Sequence, residues 1–320
     1  MRKKIIILSG DPNSINSEII YKSWIKLNNS IKKKLFLVTN LNLFNHQLDI
    51  LNLKLKLSKV KNLNDKILDN SLKIIDIDIN YKNPFKVDKT EASRFVLKSL
   101  NFAHDLALKN KNVVGFVNCA INKNLLGKSK LGVTEYLAQR CNIKDNSEVM
   151  LITNNSLSVC PITTHIDINQ ITQKIQPKLI EKKIDTINNW FKKKYRRKPK
   201  IGLLGLNPHN SEMRKNSIEK KIIVPTILRI KRKGVNLRGP LVSDTIFINE
   251  YKKYDVVVGM YHDQVLSPFK ALFGFNAINV TLGLKYLRAS PDHGTALDKI
   301  KKNKADPQSL LECIKFINNS

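Results

Sequence analysis

The sequence predicts an α/β protein with a largely parallel sheet, organised in two domains. Three observations carry that expectation. Short apolar runs rich in Ile, Val and Leu alternate with amphipathic stretches along the whole chain, as strands alternate with crossover helices. Polar residues, several of them His or Asp, follow those runs, and in open α/β sheets ligands gather at the carboxyl ends of strands. The length, 320 residues, suffices for one large core or two ordinary ones. No linker rich in Pro, Gly or Ser cuts the chain and no internal repeat is present, so two domains would exchange strands. The expected division is 1–130 with 270–320 as one domain and 131–269 as the other.

Strands are expected at 5–9, 35–39, 72–77, 113–118, 148–153, 200–206, 255–260 and 277–282. Helices are expected at 17–27, 89–108, 134–141, 168–194, 222–233 and 307–317. Asp88-Lys89-Thr90-Glu91 suits a capping box at the start of the second helix. The opening Met1-Arg2-Lys3-Lys4 followed by Ile5 to Leu8 has the look of a signal segment only briefly. Ser9-Gly10-Asp11-Pro12 ends the apolar run well before a cleavable core is reached. It reads as a first strand, and the protein as cytoplasmic. No apolar run approaches the roughly 20 residues of a membrane helix.

Cys119, Cys141, Cys160 and Cys313 lie far apart without CxxC pairing, which suits reduced thiols in or near the core. The net charge of +30 invites a nucleic-acid reading. Lysines are spread over the whole chain, however, and only the stretch from Phe191 to Lys200 is dense. Composition therefore favours a basic surface that steers anionic, phosphorylated substrates over a nucleic-acid partner.

Of the six His residues, His46 and His104 fall in a loop and on a helix without polar company and read as structural. His165 in "TTHIDI", His209 in "GLNPHNSE" and His262 in "MYHDQ" each follow an apolar run. Taken singly, an imidazole at a strand end has the plain role of a cap bonded to backbone. Three alike point to one divalent cation with positions left open for substrate and water. Asp244 in "GPLVSDTIF" and Asp263 are candidates for the surrounding carboxylates. Lys270, Asn279 and Arg288 follow His262 closely and suit a phosphate or carboxylate. No GxGxxG follows a strand and no GxxxxGK[ST] occurs, which disfavours Rossmann and P-loop assignments. "GDPNSINSEI" is a turn entering a helix N-terminus, either anion-facing or a simple cap. No Ser or Cys nucleophile is set beside a base.

"GDPNSINSEI", "TTHIDI", "GLNPHNSE", "GPLVSDTIF", "MYHDQVLSPFK" and "INVTLGLKYLRASPDHGTALD" occur in order over nearly the whole chain. Together they resemble the 4-hydroxythreonine-4-phosphate dehydrogenase (PdxA) family of pyridoxine biosynthesis. The resemblance implies two α/β domains like those of isocitrate and isopropylmalate dehydrogenases, with an interdomain cleft, in a homodimer whose partner completes the site. It implies oxidation of 4-phosphooxy-L-threonine by NAD or NADP, followed by loss of CO2 to give 3-amino-2-oxopropyl phosphate. By motif match, His165, His209 and His262 fall on the metal ligands, for a zinc, magnesium or cobalt ion. Thr134, Lys270, Asn279 and Arg288 fall on substrate-binding positions, and His293 and Gly294 on the adenine-side cofactor loop. Asp244, Asp263 and Lys123 are the proton-handling candidates.

Three departures from the family pattern stand out. Gly132-Val133-Thr134 replaces Gly-His-Thr. Asn and Ser replace glycines in the first loop, where Asn tolerates left-handed backbone. Ser211 to Lys215 replace a Gly-rich stretch. Val133 favours an alternative, the same chemistry on another phosphorylated hydroxy acid such as a phosphoerythronate or phosphothreonate. A non-catalytic basic binding protein is the alternative of a different class.

Overall fold

The structure, a computed structural model, describes residues 3–65, 67, 70–127 and 132–320. In chain order the strands are β1 (Lys4–Leu8), β2 (Leu35–Thr39), β3 (Leu57–Val60), β4 (Leu72–Asp76) and β5 (Val113–Asn118). There follow β6 (Val149–Thr153), β7 (Ser158–Thr163), β8 (Ile201–Leu204), β9 (Leu237–Leu241), β10 (Val256–Tyr261), β11 (Ile278–Leu282) and β12 (Leu287–Pro291). The chain forms two compact units, Met1–Cys141 with Leu284–Ser320, and Asn142–Gly283.

The first unit orders its strands β3-β4-β2-β1-β5-β12, with β1 flanked by β2 and β5. Every pairing there is parallel. Ile5, Ile6, Phe36 and Leu37 are fully buried, as expected of strands covered on both faces. The helix Lys89–Lys109 packs Phe95, Val96 and Leu100 inward, each contributing about 1.5–3 kcal/mol of burial. Its N-terminus is capped by Asp88, which accepts from the N–H of Thr90 (2.8 Å) and Glu91 (3.4 Å). Glu91 turns away to Asn80 and Arg94, so only half of the capping box forms.

The second unit orders its strands β11-β6-β7-β10-β8-β9. β10 is parallel to both β7 and β8, and β6 is antiparallel to β7 and β11. Val257, Val265 and Phe269 anchor its core.

The largely parallel α/β class holds, and several elements differ in detail. The helix expected over 168–194 is two, Ile168–Lys174 and Pro177–Tyr195. Gln176 is extended (φ −122°, ψ 147°), because the ring of Pro177 disfavours α geometry in the residue before it. A π turn, Glu219–Ile223, feeds the helix Val224–Arg232; Pro225 has no N–H for a regular ladder. His46 lies on the helix Leu41–Ile50, whose N-cap Asn40 accepts from Leu43 N–H, and not in a loop. His104 is buried and meets the Tyr286 hydroxyl at 2.8 Å. All four cysteines are buried free thiols.

The expected 130/131 edge lies outside the described residues, and the units part at 141/142 and 283/284. The helix Val133–Arg140 stays with the first unit, where Tyr136 bonds Asn101 (2.8 Å). The helix His262–Phe273 and β11 stay with the second.

The dense basic block has local structural roles. Lys192, Lys193 and Lys194 fill the last turn of their helix, where cations complement the free carbonyls. Arg197 forks onto Asp255 with two bonds of 2.7 Å. Lys194 Nζ lies 5.9 Å from the ring centres of both Trp190 and Tyr195. Among the described residues no helix is long and apolar enough to cross a membrane.

Candidate active site

In the second unit, three adjacent parallel strands deliver the three candidate imidazoles. β7 ends at Thr163, two residues before His165; β10 ends at Tyr261, next to His262; β8 ends five residues before His209. Pairing of Tyr261 with Thr163 and of Val258 with Leu203 aligns the strand ends. Thr163 Oγ1 donates to Met260 O at 2.7 Å and fixes the β7 end against β10. Gln264 ties the β8 end: its Oε1 accepts from Met260 N–H and its Nε2 donates to Gly205 O, both at 2.7 Å. A Cβ on Gly259 would lie 2.6 Å from Val265 Cγ1, so only glycine lets the helix start this close to β10.

The rings of His165 and His262 lie 5.7 Å apart. His262 Nδ1 meets Asp263 Oδ1 at 2.6 Å, an arrangement that fixes the ring and frees Nε2 for a ligand. Among the described residues no three His, Cys, Asp or Glu side chains group to hold a metal ion.

The backbone after β8 carries His209 on an unusual course. His209, Asn210, Ser211, Glu212 and Met213 all adopt left-handed conformations, with φ between 44° and 55°. Such geometry costs L-residues roughly 1–2 kcal/mol each, and it coincides with the stretch where the family pattern is Gly-rich. Buried Glu219 braces the entry by accepting from Leu206 N–H (3.0 Å) and Asn207 N–H (2.8 Å). Burial alone would raise its pKa, but these backbone donors outweigh it and hold the carboxyl below its ordinary value. Asn210 Nδ2 donates to Pro240 O at 3.1 Å on the far side of the turn.

Other candidates in this unit are separate features. Lys270 lies in the last turn of its helix, its Nζ 4.9 Å from the Phe275 ring centre. Asn279 lies on β11 with its side-chain oxygen buried. Asp244 is exposed on the short helix Ser243–Ile246.

The first unit presents a second set at its strand ends. Between β1 and β5 the strand order reverses direction, the switch point at which such sheets bind ligands. Arg288 on β12 is 3 % exposed and donates through Nε to Asn118 Oδ1 (2.7 Å) and through Nη1 to Thr134 Oγ1 (3.3 Å). Burial pushes its guanidinium down to about 10, so it remains a cation at neutral pH. Lys123 is exposed and opens the turn after β5, Lys123–Leu125, whose Leu125 is buried. His293 Nδ1 meets the Gly294 carbonyl at 2.9 Å, its Nε2 is buried without a hydrogen bond, and the neighbouring Thr295 carbonyl accepts from Ile15 N–H (3.3 Å).

Sequence reasoning passed over Asp11. It is 4 % exposed and follows β1 at the switch point. Burial pushes its carboxyl up to about 6, against the lowering influence of the Asn13 and Asn122 N–H groups. The Gly-Asp-Pro sequence marks a turn but not a buried acid. The replacements in this loop are not left-handed; only Gly10 has positive φ (75°). Asn13 instead braces the loop with two 2.8 Å bonds to the backbone of Val87.

Two largely parallel α/β units with polar side chains at their strand ends form a framework that dehydrogenases share with other ligand-binding proteins. A family model described as "Pyridoxal phosphate biosynthetic protein PdxA" matches residues 31–317, and the chain belongs to that family. A curated Sulfurihydrogenibium relative named 4-hydroxythreonine-4-phosphate dehydrogenase is 34% identical over 322 residues, covering 98% of this chain and 97% of its own. A relative from Oceanobacillus iheyensis, named "Putative D-threonate 4-phosphate dehydrogenase", is 31% identical over 78% of this chain and 84% of its own. The crystal structure of 4-hydroxythreonine-4-phosphate dehydrogenase from Klebsiella pneumoniae superimposes with a TM-score of 0.85 at 28% identity, covering 99% of both chains. The chain is accordingly an oxidoreductase of the dehydrogenase class.

Proposed function

We propose that the protein oxidises 4-phosphooxy-L-threonine with NAD or NADP to 2-amino-3-oxo-4-phosphooxybutanoate, which decarboxylates to 3-amino-2-oxopropyl phosphate. The observation that carries this reading is the near end-to-end match to a relative named for that activity. In the oxidation the carbinol C–H leaves as hydride and the hydroxyl proton passes to a base. In the second step the carboxylate carbon departs as CO2 and its former neighbour takes up a proton.

The donor chemistry suits a divalent cation in part. The His165–His262 pair, with Asp263 behind one ring, supplies two imidazole donors, and His209 is the third donor that the family pattern supplies. A zinc, magnesium or cobalt ion bound there would polarise the substrate hydroxyl. NAD or NADP, with its adenine side at His293 and Gly294, would supply the nicotinamide that accepts the hydride. The side chains do the rest. Lys270, Asn279, Arg288 and Thr134 bind the phosphate and carboxylate, two anionic groups that an Arg fork and an ammonium suit.

Asp263 is engaged with His262, so it orients the ring. Asp244 is the acceptor for the hydroxyl proton. Lys123, at the first unit's switch point, is the proton donor to the carbon vacated by CO2. The active form is a homodimer.

A second reading rests on Val133 and on the Oceanobacillus relative: the same chemistry on a phosphorylated hydroxy acid such as a threonate or erythronate phosphate. Val133 opens the helix that also carries Thr134, where an apolar side chain offers no hydrogen bond to an amino group. Steady-state rates of NADH or NADPH formation with both substrates, with and without a chelator, decide between the readings. A higher kcat/KM for threonate 4-phosphate selects the second. Failure to oxidise either substrate with added divalent metal removes both.

A further inference from the structure

We propose that Glu18 and Lys22 are a positioning pair for the cofactor: together they clamp the far end of the loop that carries His293 and Gly294. The proposal rests on the reading that this loop takes the adenine side of NAD or NADP.

The loop runs from Asp292 to Ala305, between β12 and the helix Gln308–Asn318. Its near end is fixed by two bonds: Asp292 N–H donates to Ser309 Oγ at 3.0 Å, and Thr295 O accepts from Ile15 N–H at 3.3 Å. Its far end is fixed by side chains of the helix Asn16–Lys26, which follows the first loop. Glu18 Oε1 accepts from Ala305 N–H and from Lys22 Nζ, both at 2.7 Å. Lys22 Nζ also donates to Ala305 O at 3.0 Å and to Asn303 O at 3.1 Å. All the N–H groups of the ammonium are thereby used, and both backbone groups of Ala305 are held. Along the loop Ala296, Lys301 and Asn303 adopt left-handed conformations, with φ of 48°, 64° and 52°. Residues with a Cβ hold such a course only where neighbouring contacts impose it.

Stability alone is a poor reason for this pair. Glu18 is 1 % exposed, and its Oε2 is buried without a hydrogen bond. An apolar side chain in that place avoids the desolvation cost of the carboxylate. What the ion pair adds is a fixed geometry at one end of a strained loop. Near the other end His293 is prepared for a ligand. Its Nδ1 meets the Gly294 carbonyl at 2.9 Å, so in the neutral ring that nitrogen donates and Nε2 is an acceptor, buried without a hydrogen bond. A bound cofactor satisfies that nitrogen at least cost when the loop is already in place, since a loose loop must first be ordered.

The test uses the full-length protein with Lys22→Met, Glu18→Gln and His293→Ala. Binding of NADH and NADPH is followed by fluorescence in the absence of substrate. Lys22→Met is expected to raise the dissociation constant of the preferred cofactor roughly tenfold, the scale of ordering one or two side chains on binding. At saturating cofactor its kcat should stay within about twofold of wild type, the pattern of lost uniform binding. Glu18→Gln keeps an acceptor for Ala305 N–H but gives Lys22 a neutral partner, so its affinity should fall between those of Lys22→Met and wild type. Unchanged cofactor affinity in both variants, with weaker binding in His293→Ala, would overturn the positioning role and leave the reading of the loop intact. Wild-type affinity in His293→Ala would remove that reading and this role with it. Amide hydrogen exchange of the free protein gives a second readout: residues 296–305 should exchange faster in Lys22→Met while β1 and β12 stay protected. Unchanged exchange there overturns the clamp itself.

Discussion

Arg288 Nε donates to Asn118 Oδ1 at 2.7 Å, so a buried cation on β12 is held by an amide at the end of β5. Thr134 holds the other arm of the guanidinium at 3.3 Å. A Lys at this position keeps the charge but loses the fork. Arg288→Lys should raise the KM for the phosphorylated substrate roughly tenfold, the scale of one hydrogen bond to a charged group, and lower the melting temperature. A fall in melting temperature with an unchanged KM would mark Arg288 as purely structural.

Asp263 touches His262 from the exposed side of the helix start, at 2.6 Å. Removing such a partner typically weakens metal affinity about ten- to a hundredfold. Asp263→Ala should show that loss in a calorimetric titration with zinc or cobalt, with little change in stability, since the carboxylate is largely exposed. Equal affinity in variant and wild type would sever Asp263 from the cation site.

The left-handed turn makes a prediction that runs against the usual direction. Glu212 and Met213 are exposed there, with φ of 44° and 55°. Glycine relieves about 1–2 kcal/mol of backbone cost per position, offset in part by its greater freedom in the unfolded chain. Glu212→Gly and Met213→Gly should therefore each stabilise the protein by about 0.5–1 kcal/mol in urea denaturation. Destabilisation by both would show that the turn is not left-handed.

Asp11 predicts a pH dependence whose sign follows from burial. Its carboxyl is pushed up to about 6 in the folded protein, from about 4 in an unfolded chain. The folded state then binds this proton more tightly. Its contribution to stability is fully present below about pH 4 and is lost as pH rises through about 6, by up to about 3 kcal/mol. Asp11→Asn has no such slope, so its stability relative to wild type should improve across that window. A difference that stays flat from pH 4 to 7 in chemical denaturation would place the carboxyl in water.

The sequence made some parts of this plain and hid others for identifiable reasons. Ile5 to Leu8 and Val256 to Val258 announce buried strands, because β-branched and leucyl runs of that length have few other homes. β3, β7, β9 and β12 escape the sequence reading because Leu-Ser-Lys-Val, Ser-Val-Cys-Pro-Ile-Thr, Leu-Arg-Gly-Pro-Leu and Leu-Arg-Ala-Ser-Pro carry Lys, Arg, Gly or Pro where strands usually do not. The helix beginning at His262 was hidden by Pro268 within it. That three His follow three apolar runs is visible in one dimension. That β7, β10 and β8 lie side by side is a fact of strand order, and the left-handed course through His209 is a fact of backbone; neither has a local signature.

The division of the chain has a consequence for its synthesis. The unit Asn142–Gly283 is one uninterrupted segment, so a ribosome makes all six of its strands before the next element begins. The other unit contributes β1 to β5 early, yet β12 and the helix Gln308–Asn318 arrive last. Until then β5 has an open flank, and Asn118 and Thr134 await a guanidinium made only after the middle unit. The early half must be kept from pairing elsewhere while the middle of the protein is made.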